Sequence, residues 1–167
     1  MANCQCISNQ CNPCYYFSRL GNSVSTWCSN GSLSSETVRY AYLAQLDLLE
    51  TQANEPVPLS SITMFTQGFS LANGQLYAAE PGSYRAEYVV HLKPNTPAVS
   101  FWLQVGDAIV PGSQVTVNAG SDEKIVVNQS IFEIPGAALI SLYSNAALNL
   151  TMDNAGDTAA SLTLVKL

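Results

Sequence analysis

The chain has 167 residues with a net charge of −6 at pH 7, and 47% of its residues are apolar while only 11% are charged. This length fits one domain of ordinary size, and the acidic balance excludes the basic footprint that nucleic-acid binding requires. No apolar run approaches the roughly 20 residues needed to span a bilayer. A polar, weakly charged surface suits a protein that packs against copies of itself, because few charges have to be desolvated.

Residues 1–31 form a distinct segment in which Arg19 is the only charge. The start of the chain lacks the basic and apolar regions of a secretory signal peptide, so we expect synthesis in the cytosol. The segment holds an aromatic cluster at residues 15–17, and residues 24–27 have the composition of a short strand. It is too small to form its own core. We therefore predict an N-terminal connector over residues 1–31 and one folded domain over residues 32–167.

All the cysteines of the chain lie in this connector; they are Cys4, Cys6, Cys11, Cys14 and Cys28. A zinc site is one interpretation, because residues 11–14 form a C-x2-C pair, but the second such pair is missing and C-x-C is an awkward chelate. Disulfides within the segment leave one cysteine over, and an odd cysteine indicates pairing between chains. Reduced, unused thiols are the third interpretation. We favour disulfides between subunits and expect no metal or other cofactor.

Residues 32–51 fit two patterns. As a helix, the segment has a serine N-cap and an apolar stripe that includes Val38, Tyr42 and Leu46. As a strand, it places Tyr40, Tyr42 and Ala44 on one face. We predict a strand because residues 55–58 (EPVP) cannot continue a helix and every later segment has a strand pattern.

From residue 57 onwards, short strands recur about every ten residues and are separated by turn dipeptides, which is typical of an all-β sandwich. One strand is expected over residues 62–71, followed by the hairpin dipeptide Asn73-Gly74. Lys124–Ile134 is apolar on both faces, so we expect it to be central or covered on both faces. The final strand, residues 160–167, ends the sequence abruptly, and we expect it to lie in the middle of a sheet.

The strand at residues 82–92 alternates with a period of two. Tyr84, Tyr88 and Val90 fall on one face, which we expect to fill the core. Val89 and His91 fall on the other face. The two faces of this strand are therefore predicted to have different roles.

We find no catalytic constellation. His91 is the only histidine, and no acid–base partner for it is identifiable. Asp153, Asn154 and Asp157 lack the spacing of a dedicated calcium loop and are more simply explained as a turn stabilised by side-chain hydrogen bonds. We predict that the protein is not an enzyme.

Four short motifs in residues 41–167 carry a family resemblance. They are G-x-Y-x-x-x-Y at residues 82–88, VPGS at 110–113, I-x-x-x-P-G-A at residues 131–137 (IFEIPGA) and SLTLVKL at 161–167. Together they resemble the trimeric jelly-roll heads of TNF and complement type on Bacillus and Clostridium spore-surface proteins, including the collagen-like exosporium glycoproteins.

The resemblance implies a ten-stranded jelly roll of two sheets that forms a homotrimer. A collagen stalk is missing, and the cysteine-rich connector in its place resembles that of spore-appendage fibre subunits, which stack head to tail. The implied function is a structural subunit that trimerises through the jelly roll and polymerises through the connector at the spore surface, in an exosporium or an appendage. Other spore-coat or exosporium proteins are further candidate partners. The alternative is a trimeric head that does not polymerise and binds a host surface, a glycan or a protein.

A trimer also provides the second cover that a strand with two apolar faces requires. The candidate interface residues are those that fall on the outer faces of the two long strands: Val89, His91, Val127 and Ile131.

Overall fold

The structure, a computed structural model, describes residues 38–72 and 75–167, which form an all-β domain. Within these ranges there are fourteen strands. They are β1 (Tyr40–Leu46), β2 (Leu48–Thr51), β3 (Glu55–Pro56), β4 (Ile62–Phe65), β5 (Phe69–Ala72), β6 (Gln75–Ala78), β7 (Gly82–Leu92), β8 (Val99–Val105), β9 (Ala108–Ile109), β10 (Val115–Val117), β11 (Lys124–Ile134), β12 (Ala138–Ser144), β13 (Leu148–Thr151) and β14 (Thr158–Lys166). No helix in these ranges is long and apolar enough to cross a membrane.

The strands pair antiparallel throughout and form two main sheets. The first sheet has five strands in the order β11-β7-β14-β1-β4. The second runs β10-β8-β12-β6-β5, with β3 pairing to β12 and β9 to β8. The pair β13-β2 forms a separate small sheet. The core lies between the inner faces of the two main sheets.

The predicted core face of β7 is confirmed. Tyr84, Tyr88 and Val90 are at most 1% exposed and belong to one continuous hydrophobic cluster. Arg85 and Glu87, which alternate with them, are exposed. Every second side chain of β7 is buried, and a shift of one residue would expose this whole set. The burial of one face therefore fixes the register of the strand.

The choice of strand over helix for the segment after residue 38 is confirmed, because β1 and β2 occupy Tyr40–Leu46 and Leu48–Thr51. The expectation for the final strand is also confirmed: β14 lies between β7 and β1 in the five-stranded sheet.

Two strand predictions need correction. The stretch expected as one strand over residues 62–71 is split into β4 and β5, which belong to different sheets. The chain turns between them at Gly68, whose φ of +95° is strained for any side chain. Divisions of this kind give more strands than the predicted ten.

The position of β11 is the second correction. It is an edge strand of the five-stranded sheet, not a central one, and within one chain its outer face is exposed. Its eleven residues all pair with β7 on the other side. The prediction of cover on both faces is therefore not met by a single chain.

The compact unit spans Val38–Leu167. The predictions for the connector, its cysteines, the domain boundary at residue 32 and the Asn73-Gly74 turn lie outside the described residues. We call the end of the sandwich at which β1 begins, near Tyr40, the chain-entry end. The opposite end, where β7 stops at Leu92 and the β13-β2 pair lies, is the distal end.

Candidate assembly interface

The candidate interface residues predicted from the sequence lie on one face of the five-stranded sheet. Val127 on β11 is directly opposite Val89 on β7. His91 is opposite Ile125, and Ile131 is opposite Arg85. The structure therefore brings all four predicted residues together on two adjacent strands.

The apolar side chains of β11 on this face are largely exposed. Ile125 is 63% exposed, Val127 55% and Ile131 66%. The residues that point inward from the same strand, Val126 and Ile134, are buried. Isolated exposed apolar residues are ordinary, but a row of them along one edge strand is typical of a surface that meets another molecule.

The same face continues across β14 to β1 and β4. Tyr42 on β1 is opposite Thr163 on β14 and Met64 on β4, and Tyr40 is opposite Val165. Met64 is 53% exposed. We call the surface formed by the outward side chains of β11, β7, β14, β1 and β4 the outer sheet face.

Tyr40, Tyr42 and Met64 were not predicted as part of this surface. The alternation in the first strand did place both tyrosines on one face, which was the available signal. What the sequence does not show is that β14, near the other end of the chain, joins β1 to β7.

His91 is half-buried at the edge of a polar cavity of about 460 Å³ at the distal end. In this cavity the Lys93 ammonium lies 2.6 Å from a carboxylate oxygen of Asp153 and 3.0 Å from one of Glu123. These bonds, that to Asp153 first, raise the pKa of Lys93. The Lys93 ammonium in this cavity is thus already paired with carboxylates of the same chain.

The loop considered for calcium is a hydrogen-bonded turn. The side-chain amide of Asn154 donates to a carboxylate oxygen of Asp157 at 3.0 Å, and Asp153 is paired with Lys93. Among residues 38–72 and 75–167, no three histidine, cysteine or acidic side chains are grouped as a metal site would require.

An apolar groove of about 420 Å³ opens at the chain-entry end. Its walls come from the turn before Val110 and the turn after Phe132, and Ile109 is 51% exposed there. Among the described residues that line it, Glu133 is the only charged one. The sequence does not indicate this groove, because the two turns meet only in the folded sandwich.

No family model matches the chain, and no curated protein matches it. Solved structures do match its fold. Two crystal structures of murine APRIL, at pH 8.0 and pH 8.5, share 14% and 13% of their residues with this chain and each superposes with a TM-score of 0.55. Each match covers 78% of this chain and 100% of the other.

APRIL is a TNF-family protein. At this low identity the match shows the fold alone, so the class defined by the structure is a TNF-like jelly roll. The TNF-like jelly-roll architecture predicted from the resemblance is thereby confirmed, but the count of ten strands is not. The trimer, the spore-surface origin and the absence of enzyme activity stay predictions.

Proposed function

We propose that this chain is a structural subunit that forms a homotrimer through the outer sheet face and polymerises through residues 1–31 into a fibre of the spore surface or of a spore appendage. The observation that carries the trimer is the exposed row of Ile125, Val127 and Ile131 on an edge strand. Neighbours of this fold are homotrimers.

Rotational symmetry explains why a single sheet face can provide both sides of every contact in the trimer. In a ring of three copies each contact is heterologous, so the β11 side of one copy meets a different part of the next copy. Tyr42 and Met64, at the opposite side of the same face, provide a second apolar surface. Burial of the three β11 side chains, each worth ~1.5–3 kcal/mol when fully buried, would contribute several kcal/mol per subunit contact.

Residues 1–31 support the polymerising role. They join the folded unit at the chain-entry end and carry a single charge, so little charge has to be desolvated when they contact another molecule. Their five cysteines could then link subunits covalently after the proteins reach an oxidising environment. We place synthesis in the mother-cell cytosol and the assembled fibre at the spore surface.

The test compares the full chain with a variant that lacks residues 1–31. We expect the full chain to form fibres in negative-stain electron microscopy. The shortened chain should be a discrete particle of three subunit masses by light scattering. Monomers of the shortened chain would contradict the trimer, and fibres from it would contradict the role of the connector.

A second candidate function is a trimeric head that does not polymerise and binds a ligand. The apolar groove beside Ile109 favours it, because its volume of about 420 Å³ falls within the ~300–1,000 Å³ of ordinary binding pockets. Under this function the full chain stays trimeric at every concentration, and an Ile109→Glu substitution abolishes ligand capture while leaving the mass unchanged.

A further inference from the structure

The small sheet at the distal end has an open edge. β13 pairs with β2 on one side, where the Leu148 N–H donates to the Thr51 hydroxyl at 3.0 Å and the Met152 N–H donates to the Asp47 carbonyl at 2.6 Å. Backbone groups alternate in direction along a strand. The N–H and C=O groups of Asn149 and Thr151 therefore point away from β2. Among the described residues none of these four groups has a backbone partner on that side.

This edge faces a preformed slot. A cavity of about 330 Å³ separates β13 from the loop at residues 93–97. The loop is held in place, because the Asn95 N–H donates to the Gly120 carbonyl at 2.5 Å and the Thr96 hydroxyl donates to the Lys93 carbonyl at 2.6 Å. The slot thus has one fixed wall and one wall of available backbone hydrogen-bonding groups.

We propose that residues 24–27 of a neighbouring molecule enter this slot and add to β13 as an extra strand. The inference rests on the proposed function, since it identifies the acceptor for the connector. Residues 24–27 are Val, Ser, Thr and Trp, a composition that favours strands, and they match the four residues of β13 in length. They carry no charge that would need desolvation. Strand addition uses main-chain hydrogen bonds for affinity and side-chain contacts for specificity.

The donor strand (residues 24–27) and the acceptor strand (β13) belong to opposite ends of the subunit, and this arrangement would produce a fibre. The connector joins the fold at the chain-entry end, near Tyr40, and the open edge of β13 lies at the distal end. A contact between opposite ends of two identical molecules does not close on itself and propagates as a filament.

The location of the chain-entry end, rather than the length of the linking residues, favours a neighbour as the acceptor. Eleven peptide units (38 − 27) separate Trp27 from Val38 and reach at most ~40 Å when fully extended. Within one molecule the connector would have to run back along β7 from the row of Arg85 to Leu92, seven residues or roughly 23 Å, and then cross to β13. A stacked neighbour presents its distal end directly at the chain-entry end.

Binding of the isolated segment tests the acceptor. A labelled peptide of residues 21–31 with Cys28→Ser is titrated into the chain without residues 1–31, whose compact unit Val38–Leu167 has a core of its own. We expect saturable binding that Asn149→Pro weakens at least tenfold, because proline removes the outward N–H and blocks the edge. Asn149→Ala, the matched control, should bind like the unchanged domain. Equal binding by the proline and alanine variants, or no binding at millimolar peptide, would overturn the inference.

Complementation in the full chain tests the joint itself. The full chain with Asn149→Pro can donate its connector strand but has no open β13 edge. The chain without residues 1–31 has the open β13 edge but no connector strand to donate. Neither should form fibres alone, and their mixture should give pairs of particles by light scattering. Thr26→Pro, with Thr26→Ala as its control, should abolish fibres from the donor side without touching the folded unit.

These outcomes separate the two proposals. Fibres that persist in both proline variants, each with the unchanged subunit count and melting temperature, would overturn the β13 acceptor and leave the fibre intact. If the unaltered chain forms no fibres, the proposed function fails, and the peptide titration still decides whether β13 accepts a strand.

Discussion

The Tyr88 hydroxyl donates a hydrogen bond to the Ser113 carbonyl at 2.8 Å and so connects the two sheets through the middle of the core. Tyr88 lies on β7 of the five-stranded sheet, and Ser113 lies just before β10 of the seven-stranded sheet. Both residues are fully buried. This hydrogen bond therefore links the core face of β7 to the opposite sheet.

Tyr88 should make the stability of the domain depend on alkaline pH. Burial raises the pKa of Tyr88 from 10.0 to about 12. The neutral form is favoured in the folded state, so its contribution is complete below pH 10 and is lost as the pH rises towards 12. A difference of this size corresponds to about 2–3 kcal/mol. Tyr88→Phe should remove this additional loss of stability at high pH. Denaturant unfolding of both proteins at pH 8 and pH 11.5 measures the free energy of unfolding. An equal decrease in the two proteins would contradict the prediction.

Ser113→Ala should destabilise the fold because the serine hydroxyl satisfies buried backbone groups. It accepts from the Leu103 N–H at 3.0 Å and donates to the Val110 carbonyl at 2.7 Å. Alanine leaves that N–H unpaired, which costs about 1–3 kcal/mol. The midpoint of denaturant unfolding measures this loss. Ser121→Ala, at an exposed turn, is the control and should unfold like the unchanged protein.

Val127→Lys should convert the trimer to monomers. The substitution places a charge in the centre of the exposed apolar row of β11, where trimer formation would have to desolvate it. Val89→Lys, directly opposite on β7, should have the same effect. Light scattering gives the mass, and Ser70→Lys on an exposed position of the other sheet is the control. If the trimer survives both substitutions, the outer sheet face is exposed to solvent in the trimer and is not its interface.

The ion pairs of Glu80 should make the stability of the fold around β14 decrease in acid. Its carboxylate bonds to the Lys166 ammonium at 2.7 Å and pairs with the Arg39 guanidinium. The bond to Lys166 first, and then that to Arg39, lowers the pKa of Glu80 below 4.5. The contribution is therefore present above pH 4.5 and is lost as the pH falls through the lowered value.

Glu80→Gln measures this effect. The melting temperature of the variant should be lower than that of the unchanged protein at pH 7, and the gap should close as the pH falls below 4.5 and through the lowered pKa of Glu80. Glu50→Gln, whose carboxylate forms no ion pair among the described residues, is the control. A gap that stays constant with pH would show that Glu80 acts through its shape alone.

The local pattern of the sequence was sufficient to separate the two faces of each long strand, and in β7 it also predicted which face is buried. In β7 and β11 the period of two separates Tyr88 and Val126 from Val89 and Val127, because every second side chain meets the core. This is why the four candidate interface residues fall together. Face assignment depends only on neighbours in the sequence.

Strand order was not predictable in the same way. β11 was expected to be central because it is apolar on both faces, but it is an edge strand, and the apolar outer face is exposed in one chain. Pairing partners depend on contacts between distant segments, such as Tyr42 with Thr163. An exposed apolar face and a doubly buried one have the same sequence pattern, since the cover for the former comes from another molecule.

Replacing all five cysteines by serine should leave the subunits able to assemble but make the fibres sensitive to heat and denaturant. Disulfides between subunits restrict dissociation, whereas noncovalent joints reopen when their contacts weaken. We expect unaltered fibres to survive heating in detergent until a reductant is added, and the serine fibres to dissolve without one. Electron microscopy and nonreducing electrophoresis record both outcomes. A zinc chelator is the control for the metal interpretation. Fibres that dissolve in the chelator but resist the reductant would mean that the thiols bind zinc. Serine fibres as robust as the original would mean that the cysteines do not hold the fibre together.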